Sequence, residues 1–432
     1  MSLVVRLLFI LFPCYMLAVE KRPAGIYVHA LKQVTDIMVD DVTSPVAAAR
    51  YYAYTTLAAY ETLSALQPKD YPSFGYLPVK PASLLSTART GVRDNAVLLA
   101  MWKTAAALLP SGTRLRPALD SIARSIPSEI QNLVEHITRQ TLNRAGTDGF
   151  RQLNNLPRYT PRRGEAFWQP TGPAFMAPVE PHWRTIRTFL LDSASQFTPL
   201  PPVPFDMTVG SPFRQLLDEV HTIVLEKNPE KEGIARFWDC NPYHISQIGH
   251  IEFGIKKISP GGHWMGIAGI ACIQNHLSLP ATAQTHVLLA LTLHDAFIAC
   301  WDEKYRSHRV RPETAIRAAL DKSWQPVLQT PPFPEYLSGH SVASSAAAQV
   351  LTHIFGPSYP FADDTELEFG LPLRSFASFE EAAREASISR LYGGIHFRDA
   401  IDQGIWQGTR IGRLACSKLS SYFPHRNRKR NR

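Results

Sequence analysis

The chain has 432 residues, 45% of them hydrophobic and 19% charged, a balance that predicts a globular protein with a large core rather than a disordered chain. Its formal net charge of +8 includes five cations among the last seven residues, so the chain before them carries only +3. No aromatic residues alternate with these cations. We therefore predict a solvated, disordered basic tail over residues 425–432 and no nucleic-acid partner.

The first nineteen residues have the pattern of a secretory signal. Arg6 precedes the apolar run Leu7–Phe12, and the small residue Ala18 marks a cleavage point. We predict export to the periplasm or the extracellular space, with a mature chain beginning near Val19 to Lys21. An uncleaved anchor is the alternative. No stretch after residue 20 is apolar enough to span a bilayer, so we predict no stable membrane insertion of the mature chain.

Residues 20–156 predict an N-terminal helical bundle. Ser44-Pro45 is a typical helix start, and the helix that it opens runs to about Leu66. Two further helices are predicted, from Asp94 to Leu109 and from Pro117 to Arg144. No run of alternating polar and apolar residues indicates a sheet, so the predicted fold class is all-α.

Residues 157–212 are much richer in proline than the rest of the chain and contain 11 of its 34 prolines. The segment is too long for an ordinary connection, so we predict an ordered crossover or a lid near a pocket. Residues 213–424 then predict a second helical bundle that contains the active site, which makes the fold two packed bundles. Its main helices are predicted at Phe213–Lys227, Glu230–Cys240, Gly261–Asn275, Ala281 to about Tyr305, and Ile395 to about Tyr422.

Four cysteines lie beyond the signal segment, at positions 240, 272, 300 and 416. They are widely spaced, with no Cys-x-x-Cys motif and no Cys/His pattern of metal ligands. Cys272 and Cys300 lie in apolar helical stretches, which predicts buried small hydrophobic side chains. A single disulfide is compatible with export, and the sequence does not choose the pair.

The second bundle contains three clusters of polar and basic residues. The first is Trp301-Asp302-Glu303-Lys304, followed by Arg311-Pro312. Seven residues are close to two helical turns, so Lys304 and Arg311 project from one face if the helix continues that far, with Pro312 closing it. Asp295, earlier on this helix, is predicted either to reach towards the basic residues or to make a helix-packing hydrogen bond.

The second cluster is Ser338-Gly339-His340, which precedes an alanine-rich run. Its backbone N–H groups are therefore predicted at a helix N-terminus, where anions are favoured. The third cluster is Ser389-Arg390, followed beyond Gly393-Gly394 by His396 and Asp399. These two residues are three apart, so we predict that Asp399 holds one ring nitrogen of His396 and leaves the other free.

Together the clusters supply three cations, a hydroxyl, close-approaching backbone N–H groups and two imidazoles. Guanidinium groups match phosphate-like oxygens well, so the sequence predicts a cage for a tetrahedral or trigonal-bipyramidal oxyanion. Tyr243 is a further candidate on the substrate side, because Asn241-Pro242-Tyr243-His244 breaks a helix where polar and aromatic groups can face a pocket.

The clusters resemble, in order, the three signature motifs of the superfamily that unites vanadium-dependent haloperoxidases with type 2 phosphatidic acid phosphatases and bacterial acid phosphatases. Leu337 departs from the family pattern, which usually places proline before Ser-Gly-His, and this change removes no catalytic atom. Trp301 and Phe333 resemble the aromatic pair on the halide side of vanadium chloroperoxidases. Bromoperoxidases more often carry histidine at the Phe333 position. The pair favours the haloperoxidase branch.

The resemblance implies that vanadate is the cofactor, that hydrogen peroxide and halide are the substrates, and that a hypohalous acid equivalent is the product. It also implies that His396 is the metal ligand, that His340 moves protons, and that Lys304 polarises the peroxide. The residues implied in binding the oxyanion are Lys304, Arg311, Ser338, Gly339 and Arg390.

Two alternatives use the same residues. In a phosphatase, with no cofactor, His396 would be the nucleophile that forms a phosphohistidine, and His340 would be the general acid and base. In a helical binding module whose site has decayed, one charged member of the cage would be missing, and none is.

Overall fold

The structure is a computed structural model that describes residues 23–79, 88–248, 251–254 and 256–419. The predicted signal segment 1–19 and basic tail 425–432 lie outside the described residues. Helices dominate the described part of the chain, which confirms the all-α prediction. They are α1 (Pro23–Asp40), α2 (Pro45–Leu66), α3 (Thr90–Leu108), α4 (Arg116–Ala123), α5 (Ser128–Gly146), α6 (Pro212–Leu225), α7 (Pro229–Phe237), α8 (Pro260–Gln274), α9 (Leu279–Ser307), α10 (Pro312–Ala319), α11 (Gly339–Phe355), α12 (Phe379–Tyr392) and α13 (Arg398–Leu419).

Two short antiparallel hairpins interrupt the helices. Strands β1 (Ile245–Ile248) and β2 (Ile251–Gly254) pair with Ile245 opposite Gly254. Strands β3 (Phe361–Asp363) and β4 (Arg374–Phe376) pair with Phe361 opposite Phe376. The expectation of no sheet is wrong at these two places, because strands of three or four residues are too short to produce a clear alternating pattern.

The chain divides into two compact units that are interleaved in sequence. One contains the described residues up to Asp41, then those of Tyr51–Ala145 and Met265–Val287. The other contains Val42–Arg50, Gly146–Trp264 and the described residues from Leu288 onwards. Each unit has its own apolar core, and every predicted site residue belongs to the second. The predicted boundaries at 20–156, 157–212 and 213–424 stay predictions.

The predicted cap at Ser44 is confirmed, whereas the bounds of three predicted helices do not agree with the structure. Helix α3 begins at Thr90 rather than at Asp94. The Ala47 N–H donates to Ser44 Oγ over 3.2 Å, which caps α2 as expected. The helix predicted from Pro117 to Arg144 is divided into α4 and α5, because Pro127 lies between them and cannot continue a helix. The final helix begins at Arg398 rather than at Ile395, so His396 precedes it.

The proline-rich segment is ordered and packs into the second unit. The carboxylate of Asp295 on α9 accepts hydrogen bonds from the backbone N–H groups of Phe189, Leu190 and Leu191 at 2.9, 2.6 and 2.8 Å. Burial raises the pKa of Asp295 to about 6, against the opposing effect of these three hydrogen bonds. Asp295 therefore fastens this segment to α9, which is the packing alternative rather than the inward-facing one.

Within the described residues, α9 is long and apolar enough to cross a bilayer by length and composition, which the sequence analysis did not anticipate. Its most apolar window is entirely buried within the fold. The core helix of a globular protein has this combination of properties.

Helices α11 and α13 pack at backbone distance along a line of glycines. A Cβ atom at Gly408 would lie 2.2 Å from the carbonyl oxygen of Val342, and one at Gly404 would lie 3.0 Å from the carbonyl oxygen of Ser338. Only glycine permits this approach. The contact fixes the start of α11, with Ser338 and Gly339, against the helix that follows His396.

Candidate oxyanion site

The structure brings the three polar clusters together in the second unit. Lys304 lies in the last turn of α9, Arg311 precedes α10, Ser338 caps α11, Arg390 lies in the last turn of α12, and His396 lies between α12 and α13. The term cage refers from here on to seven residues: Lys304, Arg311, Ser338, Gly339, His340, Arg390 and His396. Besides burial, the nearby charges of Arg311, Lys304 and Arg390 hold the pKa of His396 well below its usual range, which requires these groups to be close together.

Lys304 is fully buried, and its ammonium group is held by backbone. Its Nζ donates to the carbonyl oxygens of Pro334 and Glu335, each at 3.0 Å, and to that of Leu337. These three bonds use all the donors of an ammonium group, so Lys304 contributes its charge to the cage while it orders the 334–337 loop. Burial lowers the pKa of Lys304 to about 7.

Arg311 reaches the cage by a route that the sequence analysis did not anticipate. Helix α9 ends at Ser307, and His308 has a positive φ of 53°, so Lys304 and Arg311 do not share a helix face. The backbone of Arg311 is extended, with ψ of 151°, and Pro312 begins α10 rather than closing α9. The two cations converge because the chain turns between them.

Both arginines have N–H groups that remain available. Arg311 Nε donates to the Phe333 carbonyl oxygen at 2.9 Å, and Nη1 donates to the Ile395 carbonyl oxygen at 2.8 Å and to His396 Nε2 at 3.1 Å. Arg390 Nη1 donates to the Trp238 carbonyl oxygen at 2.8 Å. Arg311 Nη2 and Arg390 Nε are buried and have no hydrogen-bond partner among the described residues. An anion in the cage would satisfy these donors.

The carboxylate that holds His396 is Glu335. His396 Nδ1 lies 2.8 Å from Glu335 Oε1, and the backbone N–H of Phe397 donates to the same oxygen at 3.0 Å. The predicted contact between Asp399 and His396 is wrong, because His396 lies before α13 and the helical three-residue spacing does not apply. The carboxylate acceptor at Nδ1 places the proton there and leaves the lone pair on Nε2.

Asp399 contacts Arg309 rather than His396. Its two oxygens accept from Arg309 Nη1 at 2.7 and 2.8 Å, and Arg309 Nη1 lies 3.4 Å from Glu335 Oε2. Burial raises the pKa of Glu335 to about 7, and Arg309 opposes this rise. Sequence reasoning missed Glu335 and Arg309; their only signal was a position within three residues of the motif residues Ser338–His340 and Arg311.

The second cluster forms a helix N-terminus as predicted. Ser338 Oγ accepts from the Ser341 N–H at 3.3 Å, while the N–H of Gly339 lies in the first turn, where no intrahelical acceptor exists. His340 Nε2 is buried without a partner among the described residues. Burial, with the charges of Arg390 and His263, holds the pKa of His340 well below its usual range, so its ring is neutral at ordinary pH.

The aromatic pair lies beside the cage. The ring centroids of Trp301 and Phe333 are 5.0 Å apart, and Lys304 Nζ lies 5.1 Å from the Phe333 centroid. Tyr243 lies near Tyr305, whose hydroxyl donates to the same Val179 carbonyl oxygen as Trp301 Nε1. Burial and the nearby Glu180 raise the pKa of Tyr243, whose hydroxyl bonds Ser44.

The single disulfide that export would permit is not formed among the described residues. Cys240, Cys272, Cys300 and Cys416 are free thiols, and the first three are buried. Burial of Cys272 and Cys300 agrees with the prediction of small hydrophobic side chains.

The chain is similar to proteins of known structure. A family model described as the VCPO second helical-bundle domain matches residues 284–425. The crystal structure of a bacterial vanadium-dependent iodoperoxidase shares 40% identity, with 90% of this chain and 95% of that chain covered and a TM-score of 0.84.

The holo and apo crystal structures of a bacterial vanadium-dependent chloroperoxidase share the fold, at 17% and 18% identity and a TM-score of 0.67 in both cases. They cover 88% of this chain and 93% and 95% of their own. A comparison with curated proteins gives no match.

Proposed function

The chain belongs to the vanadium-dependent haloperoxidase family, and from that premise we propose that its cage binds vanadate and that the enzyme oxidises halide with hydrogen peroxide to a hypohalous acid equivalent. The observation that carries the proposal is the convergence of Arg311, Arg390 and His396 around unsatisfied donors, within residues 284–425 that the family model matches.

The residues present fit an oxyanion such as vanadate. A buried N–H group without an acceptor is costly, and Arg311 Nη2 and Arg390 Nε have none among the described residues. The first-turn N–H of Gly339 adds a helix N-terminus, which favours negative charge. These donors, with the buried charge of Lys304, match an anion better than they match a neutral ligand.

When bound, vanadate supplies a Lewis-acid centre at which hydrogen peroxide is activated for attack by halide. His396 would be its ligand, because the lone pair is on Nε2, where the ion would replace the contact from Arg311 Nη1 at 3.1 Å. Glu335 holds the opposite ring nitrogen at 2.8 Å and thereby fixes both the tautomer and the ring orientation. Arg309 Nη1 lies 3.4 Å from the second oxygen of Glu335, within ion-pair distance but without a hydrogen bond.

His340 is placed to move protons. Its lowered pKa favours the neutral ring, and Nε2 has no hydrogen-bond partner among the described residues, so this atom can accept a proton from peroxide and return it to a leaving oxygen. The positive charge that forms on His340 is disfavoured by Arg390, which makes the proton easy to release.

Trp301 and Phe333 make the approach to the cage apolar. The Trp301 side chain is 2% exposed and that of Phe333 is 8% exposed, and Trp301 Nε1 is held by the Val179 carbonyl oxygen at 3.2 Å. A halide that sheds part of its hydration can reach such a surface. We propose iodide as the halide oxidised most readily, because the 40% identical relative is an iodoperoxidase.

The test is an assay of the purified chain with and without orthovanadate. We expect peroxide-dependent oxidation of iodide only after vanadate addition, and little hydrolysis of a phosphomonoester in vanadate-free buffer. Competition by phosphate for the same site would reduce the rate. Efficient phosphomonoester hydrolysis through a phosphohistidine at His396, with no halide oxidation, would instead assign the cage to a phosphatase.

We also propose that the enzyme is exported, on the strength of the apolar segment that follows Arg6. Expression of the full chain, followed by fractionation and N-terminal sequencing, should give a periplasmic or extracellular protein that begins near Val19 to Lys21. A full-length cytoplasmic product would contradict this proposal.

A further inference from the structure

A second buried cluster of ionisable side chains lies behind the cage and has no part in the mechanism above. We call it the thiol cluster: Cys240, His263, Asp363 and Glu366. Cys240 follows α7, His263 lies in the first turn of α8, Asp363 ends β3, and Glu366 precedes a 3₁₀ turn at Leu367–Phe369. No side chain in the cluster is more than 3% exposed.

Three of its atoms are spaced like ligands of one ion. Cys240 Sγ lies 3.4 Å from His263 Nδ1 and 4.0 Å from Glu366 Oε1, and the latter two atoms are 3.2 Å apart. A tetrahedral zinc ion with a Zn–S distance of about 2.3 Å and Zn–N and Zn–O distances of about 2.0–2.1 Å would space these atoms about 3.3–3.6 Å apart. The cluster needs only sub-ångström adjustment at the sulfur to meet this geometry.

Asp363 supplies the support that a metal-binding histidine requires. Its Oδ2 lies 2.8 Å from His263 Nε2, the ring nitrogen opposite the one that faces Cys240 and Glu366. Its other oxygen accepts from the backbone N–H and the hydroxyl of Thr365 at 3.1 and 2.7 Å. An imidazole held in this way by a carboxylate presents its free nitrogen in a fixed direction and with raised basicity.

We propose that Cys240, His263 and Glu366 bind a divalent ion of the zinc class, with Asp363 orienting the histidine and the fourth position left to a non-protein ligand such as water. The mixed sulfur, nitrogen and oxygen ligand set suits zinc and its cobalt substitute rather than calcium or magnesium, which prefer oxygen alone. The proposal does not depend on the function of the cage.

The ion would act on the cage through Trp238. The indole of Trp238 stacks on the His263 ring, with centroids 4.6 Å apart at 19°, and its carbonyl oxygen accepts from Arg390 Nη1 at 2.8 Å. Cys240 lies two residues after Trp238. A metal bond to Cys240 therefore fixes the backbone turn that holds Arg390, and it joins that turn to α8 and to the β3 hairpin.

The direct experiment measures metal in the full chain purified from cells grown with added zinc. We expect about one zinc per chain by inductively coupled plasma mass spectrometry. Cobalt exchanged into the site should give an intense near-ultraviolet band from thiolate-to-cobalt charge transfer. Cys240→Ala should lose both the zinc and the band, whereas Cys272→Ala, an equally buried thiol outside the cluster, should keep both.

Asp363→Asn gives an independent measurement if Cys240→Ala fails to fold. It preserves side-chain volume and all three ligands, and we expect zinc affinity, measured by chelator competition, to fall about 10–100-fold. Wild-type protein that takes up neither zinc nor cobalt would overturn the proposal and leave the cluster as a hydrogen-bonded ion network. Metal retained at full stoichiometry by Cys240→Ala would also overturn it.

Discussion

The cage and the thiol cluster are two buried regions of one unit, and each is built on a histidine held by a carboxylate at 2.8 Å. In the cage, His396 Nδ1 contacts Glu335; in the thiol cluster, His263 Nε2 contacts Asp363. The pKa of His396 is nevertheless held well below its usual range, whereas that of His263 is raised well above it. The same pair of groups therefore has opposite pKa shifts on its histidine in the two places.

The difference comes from the neighbours rather than from the pair. Burial lowers the pKa of both rings, and the nearby charges of Arg311, Lys304 and Arg390 lower that of His396 further, despite its contact with Glu335. His263 instead faces Cys240 and Glu366 in addition to Asp363. A neutral imidazole among cations suits a bound anion, while an imidazole among acidic groups suits a bound cation. The surrounding charges therefore favour an anion in the cage and a cation in the thiol cluster.

Replacing the histidine of the cage tests the comparison most severely. His396→Ala removes the ligand atom, and we expect vanadate-dependent iodide oxidation to fall about a thousandfold. The zinc content of the protein should not change. Steady-state rates with saturating peroxide, together with circular dichroism to verify folding, measure the effect. Full activity in a folded His396→Ala protein would show that this residue has been assigned the wrong role.

Removing the carboxylate charge of Glu335 is expected to have the next largest effect. Glu335→Gln keeps the shape of the side chain but no longer fixes the His396 tautomer, so we expect vanadate affinity or the turnover number to fall about 10–100-fold. Vanadate titration of the apo protein separates the two quantities. Glu61→Gln is the matched control, since Glu61 is also a buried carboxylate but bonds Ser73 and Phe74 in the other unit. An equal loss in both variants would point to a general folding defect.

The depressed pKa of Lys304 predicts how anion binding depends on pH. The folded-state pKa is about 7 against an ordinary value of 10.5, so above pH 7 the free protein lacks a proton that a bound anion would restore. Affinity should therefore fall by up to about tenfold for each pH unit above about 7.

The matched comparison for this prediction is Lys304→Met, measured over the same pH range. The intrinsic protonation of vanadate affects both proteins equally, so the wild-type slope should exceed the variant slope by one proton. Parallel slopes would mean that Lys304 does not change its charge when the anion binds.

Asp399→Asn should have the smallest effect. Asp399 contacts Arg309 and is linked to His396 only through Arg309 and Glu335, so its charge acts indirectly. We expect no more than about a fivefold loss of turnover, equivalent to about 1 kcal/mol. A loss as large as that of Glu335→Gln would indicate that the Arg309 link controls the position of His396.

Sequence reasoning predicted which residues form the cage better than it predicted their hydrogen-bond partners. Lys304, Arg311, Ser338, Gly339, Arg390 and the two histidines stand in motifs, and the helix N-terminus after Ser338 follows from an alanine-rich run. The partner of His396 could not be read in this way, because Glu335 is 61 residues distant and the helical spacing to Asp399 pointed elsewhere. Local periodicity describes a helix, but not the turns that bring separate segments together.

The thiol cluster, likewise, could not be predicted from local spacing in the sequence. Cys240 and His263 are 23 residues apart, and Glu366 is 126 residues from Cys240. No local spacing of ligands exists, so the absence of a Cys/His motif was a correct observation that did not exclude a metal site. Such ligands converge only after α7, α8 and the β3 hairpin have packed.

The glycines on α13 have a consequence for attempts to change the selectivity of the enzyme. A side chain at Gly408 would overlap the backbone of α11. Substitutions at the glycines between α11 and α13 would therefore push Ser338 and Gly339 away from His396, and the enzyme would lose its cofactor before its choice of halide changed. A mutant library should leave positions 404 and 408 constant. Diversity is better placed at Phe333, where the ring borders the cage and the helix backbones need not move.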